Sequence, residues 1–238
     1  MLTQQIRYRE GDAHLTGTLI RDEAVSAPRP GVLVIHSGAG LDAHAEKQAH
    51  RLAEAGYVTF ACDMYGDVVA GSRERVLAQI NSFRADRARL AARAIAGLDV
   101  LRTQPRIDAR IAAVGYCFGG LVALELARAG AELAGCVSVH GTLTTTQPVH
   151  AAAIKTPILV CQGAVDPHCP LNAVAVFANE MKAAGADWEM VIYGNVMHGF
   201  THGDARGQMP GVLYDADADA RSLSAIRAFL HRVFQRQV

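Results

Sequence analysis

Residues 111 to 120 read Ile111-Ala112-Ala113-Val114-Gly115-Tyr116-Cys117-Phe118-Gly119-Gly120. An apolar run, Ile111 to Val114, stops at Gly115, and a helical pattern from Leu121 to Ala129 follows the last two glycines. This is strand, sharp turn and helix with a thiol at the apex: G-x-C-x-G, a cysteine version of the nucleophile elbow. The turn is tight, so the positions two before and two after the apex must be small, and Gly115 and Gly119 meet that demand. At the first turn of a helix, free N–H groups and the helix dipole favour thiolate over thiol. The competing reading is a buried structural cysteine beside two packing glycines, because free cysteine is usually a core residue. The rest of the chain decides between them.

Outward from this stretch the pattern alternates strand and helix. Towards the N-terminus, Gly31 to His36 is a continuous apolar strand of the kind covered on both faces. Ala43 to Ala55 is helical, with Asp42 as its N-cap and Gly56 as its stop. Val58 to Ala61 is a second buried strand, and Arg84 to Leu101 reads as one long amphipathic helix; residues 68 to 82 are ambiguous. Towards the C-terminus, Gly135 to Val139 is a strand, residues 142 to 153 a polar loop, Pro157 to Gln162 a strand, Leu171 to Ala184 a helix and Trp188 to Tyr193 a strand. Asp215 to Phe234 is a closing helix, and Gln5–Arg9 with His14–Ile20 forms an antiparallel hairpin at the other end. Such alternation implies right-handed crossovers and a mostly parallel central sheet flanked by helices, in one α/β domain spanning residues 1–238.

Composition narrows the function. The formal net charge is zero across 238 residues, with no basic stripe or acidic tail, which argues against nucleic acid or a membrane surface as partner. Apolar runs are strand-sized, and the first ten residues lack the apolar core of a signal peptide, so a cytoplasmic location is expected. Cys62, Cys117, Cys136, Cys161 and Cys169 are odd in number and form no C-x-x-C pair, so neither a disulfide framework nor a zinc site is expected.

In an open parallel sheet, ligands sit beyond the carboxyl ends of the strands. Ser37, Gly38, Asp63, Cys117, His140, Asp166 and His198 all follow strand ends. A nucleophilic thiol needs a base, and the base needs an orienting carboxylate. Asp166, in Q-G-A-V-D-P-H, and His198, in Y-G-N-V-M-H-G-F, supply them. The chain order of nucleophile, acid and histidine is that of the α/β-hydrolases. The backbone N–H groups of Phe118, directly after the thiol, and of Gly38, in the loop after the Gly31 strand, are the expected oxyanion hole.

With these residues in view, the chain resembles the dienelactone hydrolase family of α/β-hydrolases. The likeness runs from about residue 30 to the C-terminus, through G-V-L-V-I-H, D-M-Y-G, V-G-Y-C-F-G-G, I-K-T-P-I-L-V-C-Q-G-A-V-D-P-H and Y-G-N-V-M-H-G-F. The resemblance implies an α/β-hydrolase fold and a triad of Cys117, Asp166 and His198. It also implies hydrolysis of a lactone or related ester, of the carboxymethylenebutenolidase type, without metal or cofactor. It further implies a glutamate after the first catalytic strand and a substrate-holding arginine four residues after the catalytic histidine; this chain has Ser37 and His202 at those places.

Ser37, His140, His202, Tyr65 and Arg73 are the candidate substrate contacts, and the expected partner is a small-molecule ester or lactone. His36 and His168 fall in loops near the site, whereas His14, His44, His50, His150 and His231 read as surface residues. Metal binding is not expected: His198 and His202 share the i, i+4 spacing of zinc motifs but sit on a loop. A thioesterase or peptidase is the alternative among enzymes. A catalytically silent binding or redox-sensing module on the same scaffold is the alternative outside them.

Overall fold

The apolar run between Gly31 and Ile35 is fully buried and divided by alternation: Val32 and Val34 enter one hydrophobic cluster, Leu33 and Ile35 the other. Each such side chain contributes roughly 1.5–3 kcal/mol relative to exposure. They belong to a strand, β3 (Arg29–Ile35), that is covered on both faces. The structure is a computed structural model that describes residues 1–66, 72–145 and 154–236. It places β3 inside an eight-stranded sheet, ordered β1 (Leu2–Glu10), β2 (Ala13–Arg21), β4 (Val58–Cys62), β3, β5 (Ile107–Tyr116), β6 (Gly135–Val139), β7 (Ile158–Gly163) and β8 (Trp188–Tyr193). The β1–β2 hairpin and the β2–β4 pairing are antiparallel, and every pairing from β4 to β8 is parallel.

Two layers of helices cover the sheet. Helices α1 (Ala43–Glu54) and α6 (Ala216–Gln235) bury Leu52, Phe229 and Leu230 against one face. Helices α3 (Arg87–Arg102), α4 (Phe118–Arg128) and α5 (Leu171–Ala183) bury Leu98, Leu124 and Phe177 against the other. The Asp42 cap of α1 forms as read, its Oδ1 accepting from Ala45 N at 3.0 Å, and the helix stops at Gly56 with φ +103°.

Two expectations change. The helix read over Arg84–Leu101 joins the last turn of α2 (Arg73–Ala85) to α3, and the rest of α2 falls in the segment that the sequence reads as ambiguous. Asp86 separates them: its side chain accepts from Arg89 N at 2.9 Å and caps α3, a bond that an uninterrupted helix would forbid. Strand β5 begins at Ile107, four residues before the apolar run, because Arg29 pairs with Ile107 beyond a bulge. Part of the ambiguous segment 68–82, part of the loop read over 142–153, and His150 lie outside the described residues.

Register brings the strand ends together. Ile35 pairs with Gly115, Tyr116 with Val139, Val139 with Cys161, and Gly163 with Tyr193. The loops after β3, β5, β6, β7 and β8 therefore leave the sheet along one edge.

Candidate active site

Cys117 connects β5 to α4 with φ +54° and ψ −112°, a backbone conformation unfavourable for a residue with a Cβ. The two flanking glycines allow it. A Cβ on Gly115 would lie 1.9 Å from the Gly119 carbonyl oxygen, and one on Gly119 would lie 2.2 Å from that of Ile35. The strain is held by Cys117 N–H donating to the Val139 carbonyl at 3.0 Å and by the first turn of α4, where Leu121 N–H donates to the Cys117 carbonyl.

The structure brings Cys117, His198 and Asp166 into one line. His198 Nε2 lies 3.1 Å from Cys117 Sγ, and His198 Nδ1 lies 2.8 Å from Asp166 Oδ2. Asp166 is itself fixed: Oδ2 also accepts from Gln162 Nε2 at 2.8 Å, and Oδ1 accepts from the backbone N–H of His168 and of Cys169. His198 is no loosely solvated loop residue. It forms a β-bridge with Val212, its N–H donating to the Gly211 carbonyl at 3.0 Å and its carbonyl accepting from Leu213 N–H.

Burial by itself pushes the Cys117 thiol up, but the hydrogen bond and charge of His198 and the N–H groups of Gly38 and Phe118 outweigh it. The thiol lies below its usual value. Burial by itself lowers His198, but its contacts with Asp166 and Cys117 raise it to about 10. A lowered thiol beside a raised imidazole favours the thiolate–imidazolium pair. The backbone N–H groups of Phe118 and Gly38, the two donors expected to form an oxyanion hole, both help to lower the thiol.

The Gly38 loop is held by residues whose part the sequence does not announce. His36 is fully buried; its Nε2 accepts from Met64 N at 3.1 Å, which leaves Nδ1–H to donate to the Ser37 carbonyl at 2.6 Å. Tyr65 donates its hydroxyl to the Gly38 carbonyl at 3.3 Å, and Ser37 Oγ accepts from Ala39 N at 3.2 Å. Asp63 ties its own loop to β2, Oδ1 accepting from the N–H of Tyr65 and of Gly66 and Oδ2 from Thr16 N–H at 3.2 Å.

A cavity of about 1360 Å³ lies over the sulfur, and Ser37, Tyr65, Arg73, His168 and His202 line it. His140, expected to face substrate, does not: it is fully buried, with Nε2 on Thr201 Oγ1 at 2.9 Å and its ring packed edge-on to His198. The residue after a strand points either into the site or back under it, and here the Thr201 hydroxyl draws the ring under. His44, read as a surface residue, lines the cavity instead, stacked on His202. Arg84 also lines it, on the α2 face that carries Arg73, Val76, Leu77 and Ile80. Spacing of three, four, seven and eleven residues was the available signal, most of it within the segment 68–82 that the sequence reads as ambiguous. Among the described residues, no group of three or more His, Cys, Asp or Glu side chains is arranged to hold a metal ion, and no helix is long and apolar enough to cross a membrane.

A thiol at a strand-to-helix elbow, with a histidine and a carboxylate from later loops on the same sheet edge, defines an α/β-hydrolase. Comparison with known proteins carries this further: residues 15–234 match the dienelactone hydrolase family, and the chain belongs to it. It is thus a hydrolase of the ester- and lactone-cleaving kind. It is similar to a dienelactone hydrolase-like promiscuous phosphotriesterase from metagenomic libraries, at 37% identity and TM-score 0.91 over 98% of both chains. A second solved structure, m3DLH, is 38% identical with TM-score 0.92, again over 98% of each chain. The carboxymethylenebutenolidase of Pseudomonas putida is 26% identical over 179 residues, 71% of this chain and 74% of that protein.

Proposed function

We propose that this enzyme hydrolyses esters or lactones through a Cys117 thiolate. The observation that carries the reading is the use of both His198 nitrogens, one at 3.1 Å from the sulfur and the other at 2.8 Å from a buried carboxylate. The thiolate attacks the substrate carbonyl, and the N–H groups of Phe118 and Gly38 receive the oxyanion. As the C–O bond breaks, His198 gives its proton to the leaving oxygen, and an acyl-thiol ester remains. Neutral His198 then takes a proton from water, hydroxide adds to the acyl carbon, and the thiolate departs with His198 protonated again. Asp166 fixes the ring and stabilises its charged form. A thiolate is a good leaving group, so stabilised leaving groups such as enolates suit it better than amines do. Likeness to the Pseudomonas carboxymethylenebutenolidase supports a lactone among the substrates. Ser37, Tyr65, Arg73 and His202 line the cavity, which supports their role as substrate contacts. All five cysteines are free, which supports a reducing location such as the cytoplasm.

The test is turnover of p-nitrophenyl acetate and of an enol lactone by wild type and Cys117→Ala. Turnover should vanish in the variant, and one equivalent of iodoacetamide should abolish it in wild type. Undiminished turnover by Cys117→Ala would overturn the scheme. The metagenomic phosphotriesterase, similar over 98% of both chains, favours a second reading in which the same thiolate displaces an aryloxide from a phosphotriester. Release of p-nitrophenolate from a diethyl aryl phosphate, lost in Cys117→Ala, tests it.

A further inference from the structure

His44 and His202 stack along one wall of the cavity, ring centroids 3.6 Å apart and planes 18° from parallel. Two groups meet His44 Nε2, the Thr201 hydroxyl at 3.0 Å, which can donate or accept, and the Gln48 amide, and the amide decides the role of the nitrogen. The side-chain oxygen of Gln48 accepts from the Arg51 guanidinium at 3.0 Å and from the Tyr116 hydroxyl at 3.4 Å. Its amide N–H therefore faces His44 Nε2, 3.3 Å away. An imidazolium has two donors and no acceptor, so a ring nitrogen that accepts belongs to an uncharged ring. Burial first, then the charges of His202, Lys47 and Arg51, hold His44 down to about 3. Burial likewise lowers His202, against the opposing pull of Asp42 and Asp204.

Apart from the His198 imidazolium, which is paired with the Cys117 sulfur and Asp166, the charges along this wall are negative. Asp42 and Asp204 act on His202 and line the cavity, as does Glu46 on the same helix as His44. Arg51 acts on His44 from outside the cavity and is committed to Asp219 at 2.7 Å. Among the described residues, the lysines and arginines that line the cavity are Arg73 and Arg84, both on α2. The wall also lies on the side of the leaving group: His198 must reach the leaving oxygen, and His202 follows it on the same loop, its N–H donating to the Gly199 carbonyl at 2.9 Å.

We propose that the His44–His202 stack selects the leaving group, receiving a flat, uncharged aryl or enol group and rejecting one that carries a carboxylate. The stack offers a π-face for offset contact, and the aspartates beside it repel an anion. This rests on the Cys117 reading and deepens it by naming the substrate class.

The test uses 3-carboxy-4-nitrophenyl acetate and its methyl ester, which release chromophores and differ in one charge. At pH 7.5 the wild-type enzyme should prefer the methyl ester by on the order of tenfold in kcat/KM. His202→Arg should shrink that ratio by about tenfold, because it replaces the neutral ring with a fixed cation. Asp204→Asn, at an exposed position and so no threat to folding, should shrink it in the same direction. His202→Phe, flat and uncharged, should keep it. Turnover of both esters with the carboxylate preferred, or a ratio unmoved in both His202→Arg and Asp204→Asn, overturns this inference and leaves the Cys117 reading standing. No turnover of either ester removes both.

Discussion

Asp166→Asn isolates what the carboxylate does, because the structure decides which way the new amide must turn. Asp166 Oδ1 accepts from two backbone N–H groups, of His168 at 2.7 Å and Cys169 at 3.2 Å. An asparagine keeps its oxygen on those donors, so its NH₂ faces His198 Nδ1 and Gln162 Nε2. Nδ1 then becomes an acceptor and the proton moves to Nε2, which can no longer take one from the thiol. Two contributions are lost with the charge. A hydrogen bond to a charged group contributes about 1.5–3 kcal/mol. An imidazolium and a carboxylate with charge centres ~4 Å apart attract by ~4 kcal/mol at an effective dielectric of 20. The two overlap, and a joint loss of about 4 kcal/mol corresponds to roughly 10³-fold in rate. Asp166→Asn should therefore lower kcat on p-nitrophenyl acetate by roughly 10³-fold with KM little changed, since the carboxylate touches no substrate. The iodoacetamide rate against pH provides a second reading. The wild-type thiol lies below its usual value, so alkylation stays fast below the range of an ordinary thiol; in Asp166→Asn that profile should move to higher pH. The wild-type acid, His198, keeps its proton up to about 10, so the alkaline loss of turnover belongs there. A variant that folds and retains kcat within about threefold would refute the reasoning.

Three other outcomes follow from the geometry. Gly115→Ala places a Cβ 1.9 Å from the Gly119 carbonyl oxygen, so the elbow cannot close; it should remove turnover and lower Tm, read by a thermal melt beside the activity assay. Tyr65→Phe removes the hydroxyl that holds the Gly38 carbonyl, and kcat should fall by about three- to tenfold, as for loss of one neutral hydrogen bond of about 1 kcal/mol, with the thermal midpoint nearly unmoved. Arg128 pairs with Glu125 at 2.9 Å and Glu180 at 2.7 Å and donates to the Leu143 carbonyl, almost wholly buried. Arg128→Ala strands Glu180 and leaves Glu125 only Arg87, at 3.9 Å; it should cost about 3–5 kcal/mol in urea unfolding, whereas Arg128→Met with both glutamates changed to Gln should recover part of it.

The elbow was legible because its demands are local. A turn that brings the residue-115 Cα against the residue-119 carbonyl admits only glycine at both places, and the sequence carries that pattern openly. The central strands were legible for a similar reason: burial on both faces leaves no polar residue within Val32–Ile35. The α2–α3 break was not, because Asp86 reads as one more polar residue on an amphipathic face until its side chain is seen to cap the next helix. His140 and His44 exchanged their expected places for a reason no local pattern holds: both rings bond to one hydroxyl, Thr201, at 2.9 and 3.0 Å, from 61 and 157 residues away.

From its residues alone this protein declared a parallel α/β sheet, a thiol at its edge, and the order of acid and histidine behind it. Those depend on apolar periodicity and on the small residues that a tight turn requires, both written within a few neighbouring positions. Only the tertiary structure decided which nitrogen of each histidine is free, which side chains face the cavity and where its charges lie. Those follow from strand register and from hydrogen bonds between distant segments, and a short-range pattern contains neither.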